Sequence, residues 1–201
     1  MYRAILMDLG RVLIHFDFAS GYRRLEELCP YSTEEIRRRI ATTDLAFRFE
    51  SGLMDPPDFH ARLCALLDLN LDYPGFCTVW NSIFREVLLP ESMIEGLARS
   101  YRLVVVSNTN PIHFEMVRQK YPVLRHFHET ALSYQVKAMK PRPEIYREAV
   151  RLAGCGAGEC FYTDDIPAYT EAARRLGIDA VTFESAAQLG AAMRSRGIGW
   201  E

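Results

Sequence analysis

Short apolar runs alternate with segments of helical spacing through the second half of the chain. Four of these runs are typical of strands, and they lie at 101–107, 130–134, 159–163 and 180–183. Helical patterns lie between them and after the last one. Strands that alternate with helices predict a parallel sheet whose crossover helices pack on its faces.

The helices of this half have recognisable ends. We predict helices at 111–120, 143–153 and 167–176, and a last helix that begins after Ser185. Asn110 is a good N-cap for the first of them, and Gly154 is a good end for the second. Gln188 stands three positions after Ser185, which is the spacing of a capping box.

The segment between about residues 16 and 89 has helical spacing and almost no β-rich run. We predict helices at 22–28, 32–41 and 79–87, and another that begins at Asp55-Pro56. A crossover between parallel strands usually needs only about a dozen residues, so this block is too long to be one. It predicts a helical cap, residues 16–88, inserted into a core formed by residues 1–15 and 89–201.

The composition mainly argues against certain partners and sites. The chain has 201 residues, 49% of them hydrophobic and 25% charged, and its formal net charge is −2. That charge gives no electrostatic reason to expect nucleic acid or an anionic membrane as a partner. The five cysteines show no zinc-site spacing, and no apolar run is long enough to span a bilayer. With no signal peptide visible, we expect a cytoplasmic protein, and its oligomeric state, monomer or homodimer, stays open.

Polar residues follow the apolar runs where the strands are predicted to end. Asp8 follows the first run, which begins at Ala4, and Ser107 ends the next. Asp164 and Asp165 follow a later run, and Lys140 lies in a loop between the two. Because parallel α/β sheets bind ligands at the carboxyl ends of their strands, we expect these side chains to form one site.

Such side chains together can hold a nucleophile, a phosphoryl group and a divalent cation. Asp8 can attack phosphorus and form an aspartyl-phosphate. Mg2+ prefers oxygen ligands, which Asp8, the carbonyl of Gly10 and the carboxylate of Asp165 can supply. Asp164 is expected to bind the ion directly or through water.

The remaining candidates concern the phosphoryl group. Ser107, with Asn108 and Thr109 after it, can bind phosphoryl oxygens through its hydroxyl and the following backbone amides. Lys140 would place a positive charge between Asp8 and the transferring group. A small phosphorylated molecule is therefore the expected substrate.

Four stretches of the chain resemble the motifs of the haloacid dehalogenase (HAD) superfamily. They are Met7-Asp8-Leu9-Gly10-Arg11-Val12-Leu13, Val105-Val106-Ser107-Asn108-Thr109-Asn110, Met139-Lys140-Pro141 and Tyr162-Thr163-Asp164-Asp165. The resemblance implies a Rossmann-like parallel sheet with helices on both faces and an inserted α-helical cap. It also implies that Asp8 is the nucleophile, that Ser107 and Lys140 bind phosphate, and that the two adjacent aspartates bind Mg2+.

Within that superfamily the chain looks most like bacterial sugar-phosphate phosphatases related to α-D-glucose-1-phosphate phosphatase. The shared features are the Asp-Leu-Gly opening, the Ser-Asn-Thr-Asn motif and the turn Glu50-Ser51-Gly52 in the cap. The resemblance would aim that turn at the active site, where Arg48 can meet an anionic substrate. A Mg2+-dependent phosphatase acting on a sugar phosphate is the function that this implies.

Three positions depart from the superfamily pattern. Gly10 stands where most of its phosphatases have a second Asp that protonates the leaving group, so slow turnover or a good leaving group is expected. Arg11 replaces a usual Gly or Asn and can crowd or bind the phosphate. Tyr169 replaces a usual Asn, which puts the support of Asp164 in question. His15 and Asp17 are the nearest candidates in sequence for the missing acid–base group.

Two other functions remain open at this level. A 2-haloacid dehalogenase also uses an Asp nucleophile, but it needs no metal, and the adjacent acids Asp164 and Asp165 argue against it. A catalytically weak HAD-like phosphate-binding protein is the second, because Gly10 replaces the acid–base Asp.

Overall fold

A five-stranded parallel sheet forms the centre of the computed structural model, which describes residues 1–200. The strand order is β5-β4-β1-β6-β7, and all four pairings are parallel. The strands of this sheet are β1 (Ala4–Met7), β4 (Arg102–Ser107), β5 (Glu129–Leu132), β6 (Cys160–Asp164) and β7 (Asp179–Thr182). The parallel α/β fold predicted from the sequence is confirmed.

Eleven helices accompany the strands within residues 1–200. Those between β1 and β4 are α1 (Phe18–Glu26), α2 (Thr33–Ala41), α3 (Leu45–Glu50), α4 (Pro56–Leu67), α5 (Tyr73–Trp80) and α6 (Glu91–Ser100). Those after β4 are α7 (Pro111–Lys120), α8 (Ser133–Val136), α9 (Pro143–Ala153), α10 (Pro167–Arg175) and α11 (Ala186–Arg194). None of them combines the length and apolar character needed to cross a bilayer.

Alternating side chains of β1 belong to two separate apolar cores, one on each face of the sheet. Ile5 and Met7 belong to the first core, and Ala4 and Leu6 belong to the second. All four are fully buried, which explains why the sequence shows a continuous apolar run here and not an alternating one.

The helices α1 to α5 pack around a third core. Its centre is aromatic, with Phe49 stacked on Phe59 at a centroid distance of 4.1 Å and Phe76 packed edge-on against Phe59. A core of its own is what a separate cap requires. The cap boundaries at residues 16 and 88 stay a prediction.

One predicted helix is wrong. The pattern at 79–87 predicts a helix, but α5 ends at Trp80, a single 3-10 turn follows, and Phe84–Val87 forms strand β3. This strand pairs antiparallel with β2 (Ile14–Phe16), a partner more than sixty positions away in sequence. Pairing with a distant strand overrides local helical spacing, and only the folded chain reveals it.

Gly52 holds the turn after α3 close to α8. Its φ is +67°, and a Cβ placed there would lie 2.0 Å from the backbone oxygen of Tyr134. The hydroxyl of Ser133 donates to the backbone oxygen of Glu50 at 2.6 Å and accepts from the amide of Thr109 at 3.0 Å. The turn Glu50-Ser51-Gly52 is therefore fixed against the sheet edge where the predicted site lies.

Candidate functional site

The predicted site residues meet beside β1, where the strand order reverses. The chain passes from β1 to β4 and β5 on one side and returns to β6 and β7 on the other. Met7 pairs with Val105 and with Thr163, so Asp8 emerges between the ends of β4 and β6. A crevice at the carboxyl end of the strands, at such a reversal, is the usual ligand site of this architecture.

Lys140 forms the centre of the site. Its ammonium group lies 2.7 Å from Asp8 Oδ1 and 2.6 Å from Asp164 Oδ2, and it donates to the backbone oxygen of Val106 at 3.0 Å. All three N–H donors therefore have acceptors. The Lys140 side chain is 1% exposed, so these contacts are shielded from water.

Burial and charge act against each other on this cluster. Burial is the main cause that raises the pKa of Asp8 to about 7; Lys140 lowers it in part, and Asp164 raises it further. Burial alone would lower the pKa of Lys140, but Asp8 and Asp164 raise it above its ordinary value. The cluster thus favours a charged lysine. The raised pKa of Asp8 would fall if another cation were bound nearby.

Asp164 is held by hydrogen bonds on both carboxylate oxygens. Oδ2 accepts from the phenol of Tyr162 as well as from Lys140, and Oδ1 accepts from the amide of Ile166 at 2.9 Å. Tyr162 therefore gives the support that the sequence left in question at Tyr169. Tyr162 lies inside a buried strand, where its hydroxyl gives no sequence signal of a functional role.

Tyr169 contacts Lys140 instead. The lysine ammonium lies 5.2 Å from the centre of the Tyr169 ring, and the phenol oxygen accepts from Asn108 Nδ2 at 3.4 Å. Tyr146 donates to the backbone oxygen of Tyr169 at 3.0 Å, which fixes the ring from behind. A cation over an aromatic face is stabilised, so this substitution supports the lysine.

The donor set fits a hard divalent cation. One carboxylate oxygen each from Asp8, Asp164 and Asp165 lies within 4.8 Å of the others. Asp165 is half-buried, and within residues 1–200 no other residue donates a hydrogen bond to its carboxylate or to the carbonyl of Gly10. The oxygens of Asp164 already accept three hydrogen bonds, and Asp8 Oδ1 accepts from the Leu9 amide and contacts Lys140. The oxygens left for a metal are therefore Asp8 Oδ2, the carboxylate of Asp165 and the carbonyl of Gly10.

Burial raises the pKa of Asp165, with Asp164 adding to the rise and Arg11 opposing it. Arg11 has a left-handed backbone, with φ 57°, and its guanidinium lies 5.1 Å from the centre of the Phe16 ring. It lines the same cavity as Asp8 and Asp165, so its charge can act on a bound anion.

A cavity of about 300 Å³ opens above these groups. Of the predicted substrate-binding residues, Ser107, Asn108 and Thr109 line it together with Arg11. The Asn108 side chain is already engaged, because its Nδ2 donates to the backbone oxygen of Lys140 at 3.1 Å and its Oδ1 accepts from the Lys140 amide at 2.7 Å. These two hydrogen bonds fix the backbone of the loop at Lys140. The amide of Thr109 is likewise taken by Ser133.

Arg48 does not reach the cavity. Its side chain is 43% exposed on α3 and lies 3.9 Å from Asp44, one helical turn earlier on the same surface. The neighbouring Glu50 faces inward and lines the cavity instead. The sequence placed both residues in one segment, but which of them faces inward depends on how α3 packs.

The position of the absent acid–base Asp is occupied by an aromatic ring. A Cβ at Gly10 would lie 2.4 Å from Cε1 of Phe16. The two replacements suggested by sequence lie elsewhere: His15 pairs with Glu86 at 3.4 Å, and Asp17 caps α1. Neither of them lines the cavity.

Glu50 and His113 are two cavity residues whose roles the sequence analysis did not identify. Burial raises the pKa of Glu50 to about 7 and lowers the pKa of His113 to about 3. The ring of His113 stacks on Trp80 at a centroid distance of 5.4 Å, and its Nδ1 lies 2.9 Å from Asn81 Oδ1. His113 is thus an uncharged wall of the site.

The burial of His113 should make the folded protein less stable as the pH falls. An unfolded histidine has a pKa near 6.5, so protons favour the unfolded chain below that pH. Between pH 7.5 and pH 5 we expect the wild type to lose about 2 kcal/mol more unfolding free energy than His113→Gln. Urea titrations at both pH values measure this difference. Equal losses in the two proteins would show that His113 is charged when folded.

Comparisons with known proteins agree with this geometry. The model of the haloacid dehalogenase-like hydrolase family matches residues 85–183. A HAD family enzyme of Bacteroides thetaiotaomicron, crystallised with magnesium and inorganic phosphate, superposes with a TM-score of 0.82 at 26% identity. The match covers 92% of this chain and 96% of that one. The resemblance to haloacid dehalogenase-like hydrolases that the sequence motifs predict is confirmed.

Three further proteins are similar to this chain, in sequence or in fold, over almost its whole length. A Porphyromonas gingivalis protein described as a HAD-like family hydrolase superposes with a TM-score of 0.84 at 25% identity, covering 98% of each chain. The D-ribitol-5-phosphate phosphatase of Bacteroides thetaiotaomicron is 24% identical over 194 residues, 93% of this chain and 94% of its own. A 2-haloacid dehalogenase from Pseudomonas syringae shares the fold at 20% identity and a TM-score of 0.71.

Proposed function

We propose that this HAD-like hydrolase is a Mg2+-dependent phosphatase that cleaves a small phosphorylated metabolite through an aspartyl-phosphate on Asp8. The observation that carries the proposal is the convergence of Asp8, Lys140 and Asp165 in one cavity beside the central strand. It is supported by the relative that was crystallised with magnesium and phosphate.

The metal would be held by Asp8, Asp165 and the carbonyl of Gly10. When bound, Mg2+ neutralises phosphate charge and orients the phosphoryl group. Asp164, whose oxygens are already hydrogen-bonded to protein groups, would keep Lys140 in place and meet the ion through water. A cation here also lowers the pKa of Asp8 and favours the carboxylate form needed for attack.

Asp8 then has a defined role in each half of the reaction. Its carboxylate oxygen forms a bond to phosphorus as the bond from phosphorus to the ester oxygen breaks, and the leaving alkoxide takes a proton from water to depart as the alcohol. Water attacks the same phosphorus next, which releases inorganic phosphate and restores Asp8. Lys140, Ser107 and Arg11 would stabilise the charge on the phosphoryl oxygens.

Sugar and polyol phosphates are the first substrates to test. The resemblance of the motifs to sugar-phosphate phosphatases favours them, and so does the similarity to the D-ribitol-5-phosphate phosphatase. These are compact monophosphates that fit a cavity of about 300 Å³.

The test is metal-dependent phosphate release. Purified protein should release phosphate from sugar phosphates and p-nitrophenyl phosphate with Mg2+ and should stop in EDTA. If no ester releases phosphate in a metal-dependent way, the proposal is contradicted. Chloride release from a 2-haloacid in EDTA would indicate a dehalogenase, and persistent labelling of Asp8 by acetyl phosphate without turnover would indicate a phosphate-binding protein.

The missing acid–base group can be reintroduced only if the Phe16 ring is removed. Gly10→Asp alone should clash with that ring and destabilise the fold by about 1–3 kcal/mol. Gly10→Asp combined with Phe16→Ala should hydrolyse alkyl phosphates about 100-fold faster than Phe16→Ala alone, since a general acid typically contributes 10²–10⁴-fold.

The leaving group supplies the internal control for this pair. p-Nitrophenolate needs no proton to depart, so hydrolysis of p-nitrophenyl phosphate should change little between the same two variants. An equal gain on both substrates would show that the new Asp acts by other means than proton transfer. No gain on either would show that position 10 is badly placed to reach the leaving oxygen.

A further inference from the structure

A second, smaller chamber joins the cavity on the side of the helices α1 to α5. Its volume is about 150 Å³. Phe18, Glu50, Ile83 and His113 line both spaces and so form the neck between them. Beyond the neck the wall is built mainly from side chains of α1, α3 and α5, namely Tyr22, Leu25, Ala46, Val79 and Trp80.

The chamber wall is almost entirely apolar. Among residues 1–200 no lysine or arginine lines it, and Glu50 is its one acidic group. The buried His113 at the neck is uncharged near neutral pH, because burial keeps the pKa of its ring low. A ligand inside therefore meets mainly hydrophobic surface. Beyond the neck, the polar side-chain atoms of the wall are the Tyr22 hydroxyl and the indole N–H of Trp80, which is buried and has no hydrogen-bond partner within residues 1–200.

Phe18 marks the path between the two spaces. It is 51% exposed although it is aromatic, and its ring lies 4.9 Å from that of Phe16, which fills the position next to Gly10. An apolar surface thus runs from the edge of the phosphoryl site through the neck into the chamber. Exposed aromatic surface inside a cleft is typical of a ligand contact.

We propose that the side chamber receives the leaving group of the substrate, and that this group is an uncharged alcohol ending in an apolar moiety. This inference rests on the proposed phosphatase function and departs from the sugar and polyol phosphates considered above, because it predicts that esters of less polar alcohols bind better. An apolar cavity of this size can hold a group about as large as benzene. Apolar burial stabilises such a group, whereas the several hydroxyls of a polyol would lose water and find few partners there beyond the Trp80 indole N–H and the Tyr22 hydroxyl.

The charge distribution excludes another class of leaving group. A carboxylate or a second phosphate entering the neck would lie beside Glu50 and find no cation beyond it. Burying an unpaired anion is strongly unfavourable. Glu50 can instead accept a hydrogen bond from a neutral hydroxyl close to the ester, which places the polar part of the substrate at the neck.

Binding of n-alkylphosphonates tests the chamber without requiring turnover. These compounds cannot be hydrolysed at a P–O ester bond, so their Kd values, measured by calorimetry with Mg2+ present, report binding alone. From propyl to hexyl, each added CH2 should tighten binding about fourfold, the value for full burial of one methylene. 2,3-Dihydroxypropylphosphonate, a polar match for the propyl compound, should bind more weakly than propylphosphonate.

Filling the chamber with a larger side chain should abolish the dependence of alkylphosphonate binding on chain length. Ala46→Phe places a ring into the chamber from α3, and Ala46→Leu does so with less bulk should the first variant fold poorly. Ala65→Phe, on the exposed face of α4, is the matched control and should keep the wild-type series. Methylphosphonate, which is too short to pass the neck, should bind all four proteins equally.

The outcomes separate this inference from the proposed function. A flat chain-length series in the wild type, or tighter binding of the dihydroxy compound, would overturn the chamber assignment even if the protein hydrolyses phosphate esters. A rising series that Ala46→Leu flattens would support it even if no ester is hydrolysed. An unchanged series in both Ala46 variants would place the alkyl chain elsewhere and contradict the assignment.

Discussion

Replacing Asp8 with Asn is expected to lower kcat for phosphate-ester hydrolysis by at least about 10⁴-fold, because an amide oxygen is too weak a nucleophile to attack phosphorus. The fold should survive, since Lys140 keeps Asp164 as its partner at 2.6 Å and the buried site loses one negative charge. Steady-state rates with p-nitrophenyl phosphate measure the loss, and urea unfolding checks stability.

Asp165→Asn tests the proposed metal ligand separately from the proposed nucleophile, Asp8. Its side chain is half-buried at the rim of the same cavity, so the substitution should raise the Mg2+ concentration needed for half-maximal rate. Higher Mg2+ should restore much of the activity of Asp165→Asn and none of that of Asp8→Asn. Activity of Asp8→Asn that is close to wild type, or that Mg2+ restores, would show that Asp8 only binds metal.

The position of the site was predictable because its polar residues lie at or just after the ends of strands. Asp8, Ser107 and Asp164 each follow or end an apolar run, and parallel strands bring such ends to one edge of the sheet. Helix ends were predictable for a similarly local reason. Asn110 accepts from the amide of His113, and Gly154 adopts φ +68° after α9, as their sequence positions indicated.

Features that depend on distant pairing were not predictable. Strand β3 exists because β2 pairs with it, and the same hairpin places Phe16 against Gly10. From sequence, Gly10 indicated only a missing acid. The structure shows that an aromatic ring has taken the space, which changes how the position can be engineered.

The walls of the cavity could not be predicted for the same reason. The resemblance places the turn that begins at Glu50 near the site, but nothing in the local sequence of His113 on α7 indicates that it lines the same cavity. Their shifted pKa values arise from burial, which is a property of the packed molecule.

Lys140→Met is expected to be the most destabilising substitution in the site, costing about 3–5 kcal/mol near neutral pH, because it leaves two buried carboxylates without their shared cation. Activity should fall as well, since the phosphoryl group loses a positive charge. Urea unfolding at neutral pH measures the first effect. Lys137→Met is a matched control on the same loop, and its exposed side chain predicts little change.

The pH dependence distinguishes lost charge pairing from lost packing. Without Lys140, the pKa of Asp8 in the folded variant should rise further, because the lysine no longer opposes the effect of burial, so the folded state binds protons that the unfolded chain releases. The penalty should therefore be largest at pH 8 and should shrink as pH falls toward 5. A second substitution, Asp164→Asn, should recover part of the loss at pH 8. A penalty that is constant with pH and unaffected by Asp164→Asn would mean that the lysine stabilises the fold through its aliphatic chain and not through its charge.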